Sequence, residues 1–285
     1  MSDVYICQLP AEVQKYAAEV LNETEESRQN AFKEIKEWAA SNQYLHVRTE
    51  EKYILPFLRC CKFNIERTKE KMKNFYVMRR ERSEWFTNRN PNLSQIQQLV
   101  KNGSCLILKK THENHLVVII RPTVHDPKRH GMDDVLKCAK MILDIGVMEE
   151  ELSQVYGVIV IIDMANVSFA HARQLSISRI KHMVYAWQNY HCRPKKMEFV
   201  NAPAYINVVL DVFKSFMSEK LRKRVTVRYD GIASVVNIVD KAILPCDYGG
   251  EDGSLEELGR YWNEKLRSYT DWFVEDEQYK ADLVK

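Results

Sequence analysis

Residues 156–163 read YGVIVIID, with no polar position between Gly157 and Asp163. A strand with one wet face alternates apolar and polar side chains, whereas an unbroken β-branched run is the pattern of a strand covered on both faces. Such a strand needs helices above and below it, and the flanking sequence supplies them. Residues 133–151, 175–190 and 204–222 read as helices, and 197–200 and 225–229 as short strands. Residues 105–108 and 116–121 are β-prone runs joined by 109–115, which reads as a hairpin. The fold class that follows is α/β, a mostly parallel sheet with crossover helices.

An all-helical module precedes it. Residues 1–90 contain no glycine, and Phe32, Ile35 and Ala39 recur at helical spacing beside Trp38. Thr49 and Asn64 are candidate N-caps for two further helices. The turn-rich NRNPN at 88–92 marks a boundary. The expected organisation is a helical module over 1–90, an α/β unit over 93–254, and a closing segment over 255–285. That last segment reads as a polar helix over Leu255–Ser268 and a loose acidic tail.

Several function classes are excluded by what the chain lacks. Lys plus Arg is 42 against 39 Asp plus Glu, a net charge of +3, too balanced for a general nucleic-acid binder. The longest clean apolar runs, 116–120 and 158–162, fall far short of the roughly 20 residues of a membrane span. The opening MSDVYICQLP does not read as a secretory signal. Seven cysteines with no C-x-x-C pair read as reduced thiols of a cytosolic protein rather than a zinc site. No G-x-G-x-x-G, P-loop or G-x-S-x-G occurs among the nine glycines, so no cofactor is called for. His112 and His115 sit in the hairpin turn, where metal binding is not expected. Asp163 ends the central strand and His171 follows it. An acid–base role is conceivable, but the simpler reading makes Asp163 a cap for the MANVS turn and His171 structural.

Two features stand out. Over 204–222, Val208, Val209, Leu210, Val212, Phe213, Phe216, Met217 and Leu221 cover more than one helical face. A surface helix shows a single stripe of about 100°, so this one faces a core and something else. Asp211, Lys214, Glu219 and Lys220 prevent it from crossing a bilayer. Basic clusters flank it, with Arg193, Lys195 and Lys196 before and Lys220, Arg222, Lys223 and Arg224 at its end. Cations near an anionic lipid surface contribute about 1 kcal/mol each.

Four segments, in order, resemble the CRAL-TRIO lipid-transfer family, nearest the branch of alpha-tocopherol transfer protein and cellular retinaldehyde-binding protein. They are LPFLRCCKFN at 55–64, GVIVIIDMANVSFAHARQ at 157–174, the segment 193–224, and LPCDYGG at 244–250. The chain departs from the family pattern at Cys61, where Arg is usual, at Asn166, where Gly is common, and at His191 and Ser215, where Pro is usual. The resemblance implies a hydrophobic cavity closed by a mobile gate helix over 204–222. It implies candidate lipid contacts at Met141, Ile145, Ile162, Phe169, Ile180, Met183, Trp187, Val209, Val212, Phe213 and Phe216. It also implies a phosphoinositide-binding patch at Arg59, Arg193, Lys195, Lys220 and Arg224. The function it implies is a non-enzymatic carrier of a small tocopherol-, retinoid- or carotenoid-like lipid. Such a carrier is expected to be cytoplasmic and monomeric, transiently peripheral on endosomal or plasma membranes. The alternatives are a phosphoinositide-binding trafficking adaptor and an α/β hydrolase using Asp163 and His171.

Overall fold

A computed structural model describes residues 4–282. The helical module comprises α1 (Ala11–Leu21), α2 (Glu25–Ser41), α3 (Glu51–Cys61), α4 (Ile65–Glu81) and the short α5 (Ser83–Phe86). After α6 (Ser94–Lys101) come β1 (Cys105–Ile107), β2 (Leu116–Ile120), α7 (Met132–Glu149), α8 (Glu151–Tyr156), β3 (Val158–Asp163), α9 (Phe169–Arg173) and α10 (Ile177–Asn189). Then follow β4 (Pro194–Val200), α11 (Ile206–Phe216), α12 (Glu219–Arg222), β5 (Val225–Val227), three 3₁₀ turns, α13 (Leu255–Ser268) and α14 (Thr270–Asp276). The sheet order is β1-β2-β3-β4-β5. Only the β1–β2 hairpin is antiparallel. All six residues of β3 are buried, as expected of a central strand covered on both faces.

The motif glycines have steric reasons. Gly157 turns the chain into β3 at φ +104°, and a Cβ there would meet the Arg193 carbonyl at 2.6 Å. A Cβ on Gly250 would lie 2.0 Å from the Leu244 carbonyl, inside the tight LPCDYGG turn. That turn is tied to the sheet through Tyr248, whose hydroxyl donates to Asp163 Oδ2 at 2.7 Å. Asp163 Oδ1 accepts from Ala165 N at 3.0 Å and Asn201 Nδ2 at 2.8 Å. Asp163 is thus the cap its position indicated, with two long-range partners added. Asn166 has φ +60°, a left-handed conformation that Asn tolerates nearly as well as the Gly it replaces.

Four expectations need correction. Glu50, not Thr49, caps α3, and it makes no side-chain cap bond. The helix expected from 133 to 151 ends at Glu149, and α8 follows it directly. The helix expected over 204–222 is broken: Met217 is extended, and the Ser218 hydroxyl accepts from Leu221 N to start α12 afresh. A 19-residue apolar pattern did not reveal that Ser218 competes for the backbone as an N-cap. The tail after α13 is not loose over its described residues, 270–282. Phe273 and Asp276 are buried in α14, and Ala281 N bonds to the Tyr76 carbonyl of α4 at 3.0 Å.

Asp276 explains why. Its carboxylate accepts from Arg48 at 3.0 Å and Arg79 at 2.8 Å, and also pairs with Arg89. Arg89 reaches on to Asp144 of α7 at 2.8 Å. Burial alone would raise the Asp276 carboxyl, but the three guanidiniums override it and hold it well below the usual carboxylate range. Its stabilisation is therefore present above the unfolded carboxylate value and lost as pH falls through and below about 4. Asp276→Ala removes the shared partner of three buried arginines and should cost about 3–5 kcal/mol in urea denaturation at pH 7. The gap between Asp276→Asn and the parent protein should narrow below about pH 4.

Candidate functional site: an apolar cavity beside a basic pocket

Three helices face one side of the sheet, each with the same short stripe. Leu136, Ala139, Lys140 and Leu143 of α7 are spaced i, i+3, i+4, i+7, as are Ile206, Val209, Leu210 and Phe213 of α11. Met183, Ala186 and Trp187 of α10, with Tyr190 just past its end, repeat the spacing. Alternate sheet residues, among them Val158, Val160 and Ile162 of β3, form the floor. The stripes enclose a cavity of about 170 Å³ in which Lys140 is the one charged side chain among the described residues of the wall. Trp187 stacks on Phe213, centroids 5.5 Å apart and 13° from parallel, and pins α11 to α10.

Of the lipid-contact candidates, Ile162, Met183, Trp187, Val209 and Phe213 lie in this wall. The others do not. Met141 and Ile145 are plain core on the face of α7 turned away from the hollow, and Ile180 is buried on the same face of α10 as Met183 and Trp187 but one turn short of the hollow's wall. Phe169 is 77% exposed. Val212 and Phe216 are half-buried beside the wall rather than in it, because the inward stripe of α11 is rotated by about one residue from the expected one. On α7 the true stripe was masked by Lys140, since a lysine at a core-facing position breaks the apolar pattern.

A second hollow, about 420 Å³, opens beside the first. Trp187, Cys192 and Pro194 line both. Its wall carries Arg193, Lys195, Lys220 and Arg224, four of the expected cations. It also carries Lys62, Arg67 and Lys71, which sequence reasoning missed although Arg67 and Lys71 share one face of α4 at i, i+4 spacing. Glu70 is the one acid among the described residues of the wall. Burial lowers the Lys195 and Lys220 ammoniums, and the neighbouring cations lower them further. Arg193 and Arg224 each donate to a backbone carbonyl, those of Val155 and Pro194. Lys195 and Lys220 have no hydrogen-bond or ion-pair partner among the described residues.

Arg59 must be removed from this patch. It is fully buried and bonded to Glu23 at 2.7 and 2.8 Å, Glu151 at 2.8 Å and Gln154 at 3.0 Å. Its acceptors lie on Tyr5, on Glu23 and on α8, three distant parts of the chain, which a linear motif cannot display.

The sequence matches the Pinta-like UBA domain over residues 24–96 and the CRAL/TRIO domain over residues 100–250. The chain belongs to the CRAL/TRIO family. It is 26% identical over 275 residues to the Mus musculus protein named alpha-tocopherol transfer protein-like, covering 95% of this chain and 79% of that one. Clavesin-1 of Xenopus laevis is 25% identical over 233 residues, covering 81% and 70%. The crystal structure of Sfh5 superposes with a TM-score of 0.53 over 85% of this chain and 98% of that one, at 16% identity, a likeness of fold. CRAL/TRIO proteins are a lipid-binding and lipid-transfer family, and the apolar hollow lies within the CRAL/TRIO segment and is lined by it. Among the described residues no helix is long and apolar enough to cross a membrane.

The two remaining chemical candidates of this CRAL/TRIO protein have structural work. His171 Nδ1 meets the Ser168 hydroxyl at 2.7 Å and its Nε2 lies 3.2 Å from the His125 carbonyl. His112 and His115 pair through their backbones across the hairpin turn. The contrast between the cations is testable. Arg59→Ala leaves the buried Glu23 with only the longer Arg28 contact, at 3.3 Å, and should cost about 3–5 kcal/mol in urea denaturation. Lys195→Ala combined with Lys220→Ala should leave the midpoint unchanged or raise it, because it removes repulsion.

Proposed function

We propose that this protein is a non-enzymatic carrier that encloses a small hydrophobic lipid between the sheet and α11 and exchanges it at phosphoinositide-containing membranes. The observation that carries the reading is contiguity: an apolar hollow and a basic pocket share a wall at Trp187, Cys192 and Pro194. A lipid burying about 500 Å² gains roughly 12 kcal/mol before the costs of association, so it leaves slowly into water. Ligand pockets commonly hold about 300–1,000 Å³. The cavity, at about 170 Å³, is smaller. A lipid of tocopherol or retinoid size therefore enters by displacing α11 outward.

In this mechanism α11 is the gate, the break at Met217 is one hinge, and the Trp187–Phe213 stack is the latch. Lys195, Lys220 and Arg224 hold an anionic headgroup beside α12, directly beyond that hinge. Phe169, Ile177, Tyr205 and Val208 are large, apolar and more than half exposed, on α9, α10 and the start of α11. They supply the area that enters the bilayer while the cations hold the protein to its surface. The cytoplasm and the faces of endosomal or plasma membranes are the compartments this cycle requires, and a monomer suffices for it.

Organic extraction of the purified protein followed by mass spectrometry should recover one apolar lipid class in near-stoichiometric amount. Recovery of nothing, together with retained phosphoinositide binding, would favour a trafficking adaptor instead. Phe213→Asp should lower lipid uptake by about tenfold to a hundredfold, the loss expected from one buried aromatic contact. Lys195→Ala with Lys220→Ala should keep lipid affinity and slow transfer between vesicles that contain phosphoinositide. Transfer at the parent rate would remove the basic pocket from the mechanism.

A further inference from the structure

Lys140 lies in the wall of the apolar cavity, and the residue is 8% exposed. Its ammonium is surrounded by aromatic rings, with Nζ 5.1 Å from the centroid of Trp85, 5.4 Å from Phe86 and 4.9 Å from Tyr190. Cation–π contacts soften the burial of a charge, but they accept no hydrogen bond. The acid one turn along, Asp144, is already committed. It accepts from Arg89 at 2.8 Å and from the Tyr190 hydroxyl, and His191 lies 3.7 Å away. Lys140 therefore has three donors and no hydrogen-bond or ion-pair partner among the described residues, in a wall that is otherwise uncharged.

A buried cation without an acceptor is costly, and a cavity wall is where an acceptor can be delivered by a ligand. Resting on the carrier reading above, we propose that Lys140 selects the headgroup of the cargo and that the cargo is a long-chain lipid ending in a carboxylate. Its chain lies along the stripes of α10 and α11, and its carboxylate meets Lys140 at the α7 side. A charge-assisted hydrogen bond in this setting is stronger than a neutral one and discriminates against an uncharged analogue that leaves the ammonium unpaired.

Burial lowers the Lys140 ammonium to about 8, against the pull of Asp144. The groups around it are Asp144 on its own helix, Arg89 after α5, Cys105 on β1, and Tyr190, His191 and Cys192 after α10. A bound carboxylate favours the protonated form and moves this value upward. Carboxylate affinity should thus be flat between about pH 5, below which the ligand itself protonates, and about pH 8, and decline at higher pH, while affinity for an uncharged analogue stays level.

The test compares fatty carboxylates from dodecanoate to octadecanoate with their methyl esters, by calorimetry on the full chain stripped of lipid by solvent-free exchange. The parent protein should bind the best carboxylate at least about tenfold more tightly than its ester. Lys140→Met, which keeps length and removes charge, should lose that preference and bind the ester as well or better. Lys140→Arg should retain it and extend it to higher pH, which guards against a Met variant that packs differently. Equal binding of acid and ester by the parent would overturn the headgroup inference and leave the carrier reading standing. No binding of either, with no lipid recovered by extraction, would overturn both.

Discussion

A sheet that is apolar on both faces must be covered twice, and the rest of this structure follows from how the second cover is made. The stripes of α7, α10 and α11 repeat one four-residue spacing and converge on alternate residues of β2, β3 and β4. Each stripe is wide enough to be excluded from water and too short to interdigitate fully with the others, so a hollow persists at their meeting point. Close packing is the usual end state of a protein interior. A cavity bounded by large side chains such as Trp187, Phe213 and Phe199 costs contacts on every wall.

The frame around that hollow is held by charge. Asp276, Arg48, Arg79, Arg89 and Asp144 join the closing helix, the helical module and α7 in one buried network. A second network around Arg59 fastens α3 to α8 and to Glu23 between α1 and α2. Both leave α11 outside. Its attachments are apolar contacts and the Trp187–Phe213 stack, and just past its end Ser218 N donates to Gln188 Oε1 at 2.8 Å. Apolar contacts are non-directional and can be exchanged for lipid, whereas a broken buried ion pair has no substitute. Among the described residues no ion pair holds α11, which is what supports its proposed part as the gate.

The same distinction separates two kinds of basic residue that a linear reading treats alike. Arg59 is saturated by acids and amides within the fold, whereas Lys195 and Lys220 repel one another in an open pocket. Lys140 belongs to neither group, since it is enclosed as Arg59 is and unpaired as Lys195 is. Its place in the α7 stripe also explains why Met141 and Ile145, the apolar residues next to it in sequence, fall in the core instead.

The sequence by itself determined the central strand, the hairpin, the helical module and the order of the crossovers, because periodicity and β-branching act over a few residues. It also marked the turn glycines and Asp163, whose roles depend on local sterics and capping. Tertiary structure alone decided which face of each helix turns inward, where α11 stops, that the acidic tail docks, and whether a cation is sequestered or available. Those outcomes depend on partners more than 30 residues away, such as Glu23 for Arg59 and Asp276 for Arg89. A burial stripe can be rotated by one residue without changing the composition that a linear pattern reads.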